Sequence, residues 1–85
     1  MFKIYLDIPA LKSLKKLDDN VSQRIIESIE GLAEDPIPHD SKRIIGIKEK
    51  VFRIRVGKFR VLYRVNYENF CVVIIDIDTR ERVYK

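Results

Sequence analysis

Polar and apolar residues alternate at the start of the chain, with Phe2, Ile4 and Leu6 on one side and Lys3, Tyr5 and Asp7 on the other. A period of two predicts a strand over 2–7 with one packed face. Pro9 then suits the first turn of a helix, and Leu11, Leu14 and Leu17 recur at three-residue spacing while Lys12, Lys15 and Lys16 fall off that stripe. Asp18, Asp19 and Asn20 interrupt the pattern. Asn20 with Gln23 three residues later predicts a capping box for a second helix ending near Asp35, whose stripe is Val21, Ile25, Ile29 and Leu32 with Ile26 and Ala33. The two helices form an antiparallel hairpin. Pro36 and Pro38 open a loop to about Asp40, and a short strand over 43–47 follows.

Val56-Gly57-Lys58-Phe59 predicts a two-residue hairpin loop, with Gly57 at the first central position. Phe52, Ile54, Val56, Phe59, Val61 and Tyr63 then share the face turned to the helices, and Arg53, Arg55, Arg60, Leu62 and Arg64 share the other. The last strand, 70–78, offers Cys71, Val73, Ile75 and Ile77 to the core and Phe70, Val72, Ile74, Asp76 and Asp78 to the opposite side. An odd-length loop around Tyr67, Glu68 and Asn69 would set Asp76 opposite Arg60. The fold class is therefore α+β, a helical hairpin packed on one face of a mainly antiparallel sheet, in the order β-α-α-β-β-β-β.

Charge is concentrated in that hairpin. Residues 51–64 carry five basic side chains and no acid, whereas the rest of the chain holds 12 basic against 13 acidic residues. Pairing Val56 with Phe59 places Arg55 directly opposite Arg60, a like-charge repulsion of roughly 1 kcal/mol at about 5 Å in water. A phosphate held between two guanidinium forks reverses the sign of that interaction, so Arg60 is expected to be an exposed phosphate ligand. With 85 residues, 46% apolar and 35% charged, the chain has the size and composition of one soluble domain, 1–85. Its longest apolar run, 70–75, is far short of the roughly 20 residues of a membrane span, and no signal-like segment opens it, which leaves the cytoplasm as the expected location. Cys71 reads as a buried small hydrophobe and His39 as a surface residue; no metal site or cofactor is implied.

In this order, the leading strand and helical hairpin, Arg53-Ile54-Arg55, Gly57-Lys58-Phe59-Arg60-Val61-Leu62-Tyr63 and the closing Arg80-Glu81-Arg82-Val83-Tyr84 resemble the RelE/ParE toxin superfamily, most closely its RelE branch. The resemblance implies a microbial ribonuclease-type fold and a type II toxin that cuts messenger RNA on the ribosome, with the substrate 2′-hydroxyl as nucleophile. It implies catalytic roles for Arg55, Arg60, Arg80 and Tyr84, and RNA phosphate contacts for Arg53, Arg55, Lys58, Arg60 and Arg64. It implies a RelB-like antitoxin as partner, with a heterotetramer among the assemblies it allows, and no membrane. Two departures stand out. The best-known members have lysine where this chain has Arg53 and Arg55, and many have histidine where it has Thr79, so two types of proton carrier are missing. The alternatives are a non-enzymatic ParE-like toxin that binds gyrase, and an inactive member of the family.

Overall fold

The computed structural model describes residues 1–44 and 50–79. Its elements are β1 (Lys3–Leu6), α1 (Ile8–Lys15), α2 (Asp19–Glu34), β2 (Lys42–Arg43), β3 (Val51–Val56), β4 (Phe59–Asn66) and β5 (Cys71–Thr79), in the order expected from the sequence. They build a five-stranded sheet of order β1-β5-β4-β3-β2. Among the described strands only the β1–β5 pair is parallel, and the intervening chain supplies the long crossover that a parallel pair needs. Neither described helix is long and apolar enough to cross a membrane.

Both helices form where the pattern puts them, with altered details. In α1 the packed positions are Ala10 and Leu14, with Leu17 packed just beyond its end, while Leu11 is 41% exposed. A three-residue spacing precesses by about 60° at each step on a helix of 3.6 residues per turn, so Leu11 lies off the face that positions 10 and 14 share. In α2 the cap is Asp18, not Asn20: its Oδ1 accepts from the Val21 N–H at 3.0 Å. Capping one turn earlier satisfies an N-terminal donor and sets a carboxylate against the positive end of the helix. Asp35 ends α2 in an extended conformation, as a residue before proline must.

The β3–β4 hairpin has the predicted register, Val56 opposite Phe59 and Arg55 opposite Arg60. Gly57 has φ +60°, which a side chain at this first central position of the turn would make strained. The predicted strand at 43–47 is realised as β2 at Lys42–Arg43, extended by the Ile44 N–H donating to the Val51 carbonyl at 2.8 Å; positions 45–47 of that expectation lie outside the described residues.

The packing of β5 corrects the sequence reading. Val72 and Ile74 are fully buried, and Cys71 and Val73 turn to the open side of the sheet. Two insertions of one residue explain this. The connection from Asn66 to Cys71 spans four residues rather than three, held by the Asn66 Oδ1 accepting from the Asn69 N–H at 3.0 Å and by Phe70 at φ 51°. A bulge then falls at Ile75, since Leu62 pairs with Asp76 while Tyr63 pairs with Ile74. The first flips the strand's faces and the second restores them, so Ile77 is inward and Asp76 and Asp78 outward, as expected. Cys71 is accordingly a half-exposed thiol rather than a core residue.

Tyr63 sits at the centre of the helix-facing core, stacked on Phe52 with ring centroids 5.9 Å apart. Burial pushes its phenol from 10.0 up to about 12, and the nearby Ser41 hydroxyl offsets only part of that shift. Between these values the unfolded chain binds fewer protons than the folded one, so the contribution is intact below pH 10 and is lost as pH rises towards 12. The expected loss is about 3 kcal/mol. Urea unfolding across that range checks it: Tyr63→Phe should remove a drop of that size, and an identical alkaline profile in parent and variant overturns it.

Candidate nucleic-acid interface

The side of the sheet away from the helices carries its charge in cross-strand rows. Arg55, Arg60 and Asp78 form one row across β3, β4 and β5. Lys42, Arg53, Leu62 and Asp76 form the next, two residues along. Val51, Arg64, Val73 and Tyr5 form the third. Neighbouring strands are about 4.8 Å apart, so Arg53, Arg55, Arg60 and Lys42 form a compact cationic patch, with Asp76 and Asp78 on its β5 side and Asp40 at its β2 side.

The arginines differ in depth. Arg55 is exposed, Arg53 and Arg64 are half-buried, and Arg60 is only 6% exposed. The expectation of an exposed Arg60 is therefore corrected: it lies on an interior strand, with β3 and β5 on either side, and presents little of itself to solvent. Its carboxylate neighbour is also corrected, because the four-residue connection and the bulge move Asp76 opposite Leu62 and bring Asp78 opposite Arg60. Asp76 instead accepts from the Ile77 N–H at 2.8 Å, closing the bulge locally. Asp40, Lys42, Arg53 and Arg55 surround a depression of about 250 Å³ at the β2–β3 side of the patch.

Lys58 does not join the other cations. Its Nζ lies 5.9 Å from the centroid of the Phe59 ring, and it lines a recess on the helix side of the hairpin. Arg80 and Tyr84 lie outside the described residues. Lys42 was missed by sequence reasoning, which had no means of fixing the register of a two-residue strand on β3. His39 is exposed in the proline-flanked loop, as expected.

A patch of guanidinium groups can bind phosphate in a bidentate manner and stabilise negative charge as it develops on a phosphoryl oxygen. It cannot relay protons, because arginine keeps its charge in proteins.

A family model for the ParE toxin of the type II toxin-antitoxin system parDE matches residues 4–84. The chain belongs to the RelE/ParE superfamily of type II toxins. A relative of this toxin from Methanocaldococcus jannaschii, named RelE1, is 38% identical, with 99% of this chain and 96% of the relative covered. The fold of the toxin matches that of the archaeal RelE–RelB complex from Pyrococcus horikoshii OT3, with a TM-score of 0.82 and 24% identity over 96% of this chain and 98% of the other. It also matches the RelBE2 toxin-antitoxin complex of Mycobacterium tuberculosis, with a TM-score of 0.82 and 26% identity over 93% and 98% of the two chains.

Proposed function

We propose that this toxin is an endoribonuclease that cleaves messenger RNA on the ribosome, using the substrate 2′-hydroxyl as nucleophile. The observation that carries the reading is the row Arg55–Arg60, two guanidinium-bearing residues directly opposed on neighbouring strands, with Arg53 and Lys42 beside them. Attack of the 2′-oxygen on the adjacent phosphorus forms a pentacoordinate phosphorane and then breaks the bond to the 5′-oxygen. Arg55 meets the non-bridging oxygens, where charge accumulates, while Arg60 supports it from below with little freedom to move. Arg53 and Arg64 hold flanking phosphates. By resemblance, Arg80 stands nearest the leaving oxygen and Tyr84 orients the 2′-hydroxyl or stacks on a base. The ribosome supplies the substrate conformation, since the described arginines supply charge and position but no proton carrier. A RelB-type antitoxin would neutralise the toxin by covering the cationic patch with an acidic, amphipathic segment that folds on docking.

The second reading, a gyrase-binding toxin without nuclease activity, is favoured by one observation, the match to the ParE family model. One experiment decides between them: cleavage mapped on a defined message in translating extract and on naked RNA, beside a gyrase supercoiling assay. The nuclease reading expects cuts in the extract that leave a 2′,3′-cyclic phosphate, with supercoiling unchanged. Inhibited supercoiling with an intact message overturns it.

A further inference from the structure

On the helix side of the hairpin tip, Val21 and Arg24 from α2 and Val56, Gly57, Lys58 and Phe59 line a recess of about 130 Å³. Its floor is apolar, from Val21, Val56 and Phe59, and none of its lining residues is acidic. Two cations converge on it. The Arg24 side chain is exposed and makes no hydrogen bond or ion pair with any described residue. Its terminal nitrogens lie 3.9 and 4.0 Å from the point where a side chain at Gly57 would begin, so the guanidinium lies against the turn at van der Waals distance. Lys58 reaches in from the turn itself, across the Phe59 ring.

Like charges gathered over an apolar floor repel one another, and an anion between them reverses that interaction. The apolar floor adds a surface on which a sugar or base can rest. The hairpin tip thus has cations on both sides: the arginine patch on one and this pair on the other.

We propose that the recess is a second phosphate-binding site, in which Arg24 and Lys58 hold a phosphodiester of RNA other than the scissile one. The inference rests on the reading of the toxin as an RNA-acting protein, and it adds Arg24, on a helix, to the contact surface. RNA passing the arginine patch rounds the hairpin tip and is gripped again behind it.

The test measures binding of a labelled, fully 2′-O-methylated single-stranded RNA, which cannot be cleaved, by fluorescence anisotropy across a salt series. Each contact to single-stranded nucleic acid contributes about 0.7 to the slope of log K against log salt. The double variant Arg24→Gln/Lys58→Gln should therefore lose about 1.4 from the slope, and Arg24→Gln alone about 0.7. Arg24→Lys should retain the parent slope, which a purely structural role for the guanidinium would not predict. A parent slope unchanged in the double variant overturns the site. Message cleavage by the same preparations keeps the two ideas apart: a parent that cleaves while the slope is unchanged removes the site and leaves the nuclease, and a parent that never cleaves while the slope falls does the reverse.

Discussion

Arg60→Ala and Arg60→Met are both expected to abolish growth arrest, with the alanine variant less stable than the methionine variant by about 1.6 kcal/mol, the contribution of the two buried methylenes it lacks. The difference follows from where the residue sits. At 6% exposure the aliphatic stem of Arg60 is packed within the sheet, and removing its methylenes costs about 0.8 kcal/mol each. Losing the guanidinium relieves the repulsion from Arg55 opposite and removes the attraction to Asp78 on the other side, charge effects that the two variants share. The stem alone distinguishes them, so alanine is the less stable and methionine, which keeps most of the stem, the more stable. Asp78, opposite on the other side, loses a cationic neighbour in both variants. Unfolding midpoints in urea, read beside growth after induced expression, separate the two contributions. A folded Arg60→Met variant that still arrests growth removes the charge of Arg60 from the mechanism.

That prediction depends on a feature the sequence could not display. Period-two alternation puts Arg60 on the open face and the glycine turn pairs it with Arg55, both of which the structure has, because a two-residue loop leaves only one register. Alternation reports which way a side chain points and says nothing about how deeply its neighbours cover it. The β4–β5 pairing was illegible for a related reason. Its register depends on a residue added in the Asn66–Cys71 connection and another at Ile75, and neither leaves a compositional mark of the kind Gly57 leaves in its turn. Each one-residue slip inverts a face. The sequence reading therefore misplaced Cys71 and Val73 while assigning Ile77 and Asp78 correctly. In the helices the error was smaller: three capping-competent residues in a row made Asn20 as plausible as Asp18, and only the Val21 N–H chooses between them. Arg24 escaped notice because nothing in the chain predicts that α2 passes the hairpin tip closely enough for its guanidinium to lie against Gly57.

Arg55→Gln should reduce single-turnover message cleavage by at least about tenfold, equivalent to 1.4 kcal/mol of transition-state stabilisation. Arg55 is the exposed member of the row and Arg60 the buried one, so a substitution at 55 changes charge at the surface without disturbing the packed layer. Glutamine keeps part of the aliphatic stem and a hydrogen-bond donor while removing charge and shortening the side chain, so Arg55→Lys, which keeps the charge, is the comparison that separates electrostatic stabilisation of the phosphorane from positioning. Arg55→Lys keeps the charge but loses the bidentate fork, and it should retain substantial activity. It also introduces an amine able to exchange a proton, so its pH profile should gain a basic limb that the parent lacks, arginine being charged throughout the accessible range. The pair of variants thus asks two questions of one position: whether charge is needed, and whether proton transfer can be added. Equal cleavage by Arg55→Gln and parent, both folded, would show that the cationic row takes no part in catalysis. The gyrase-binding reading would then be the stronger one, and supercoiling in the presence of the same variant would become the measurement that matters.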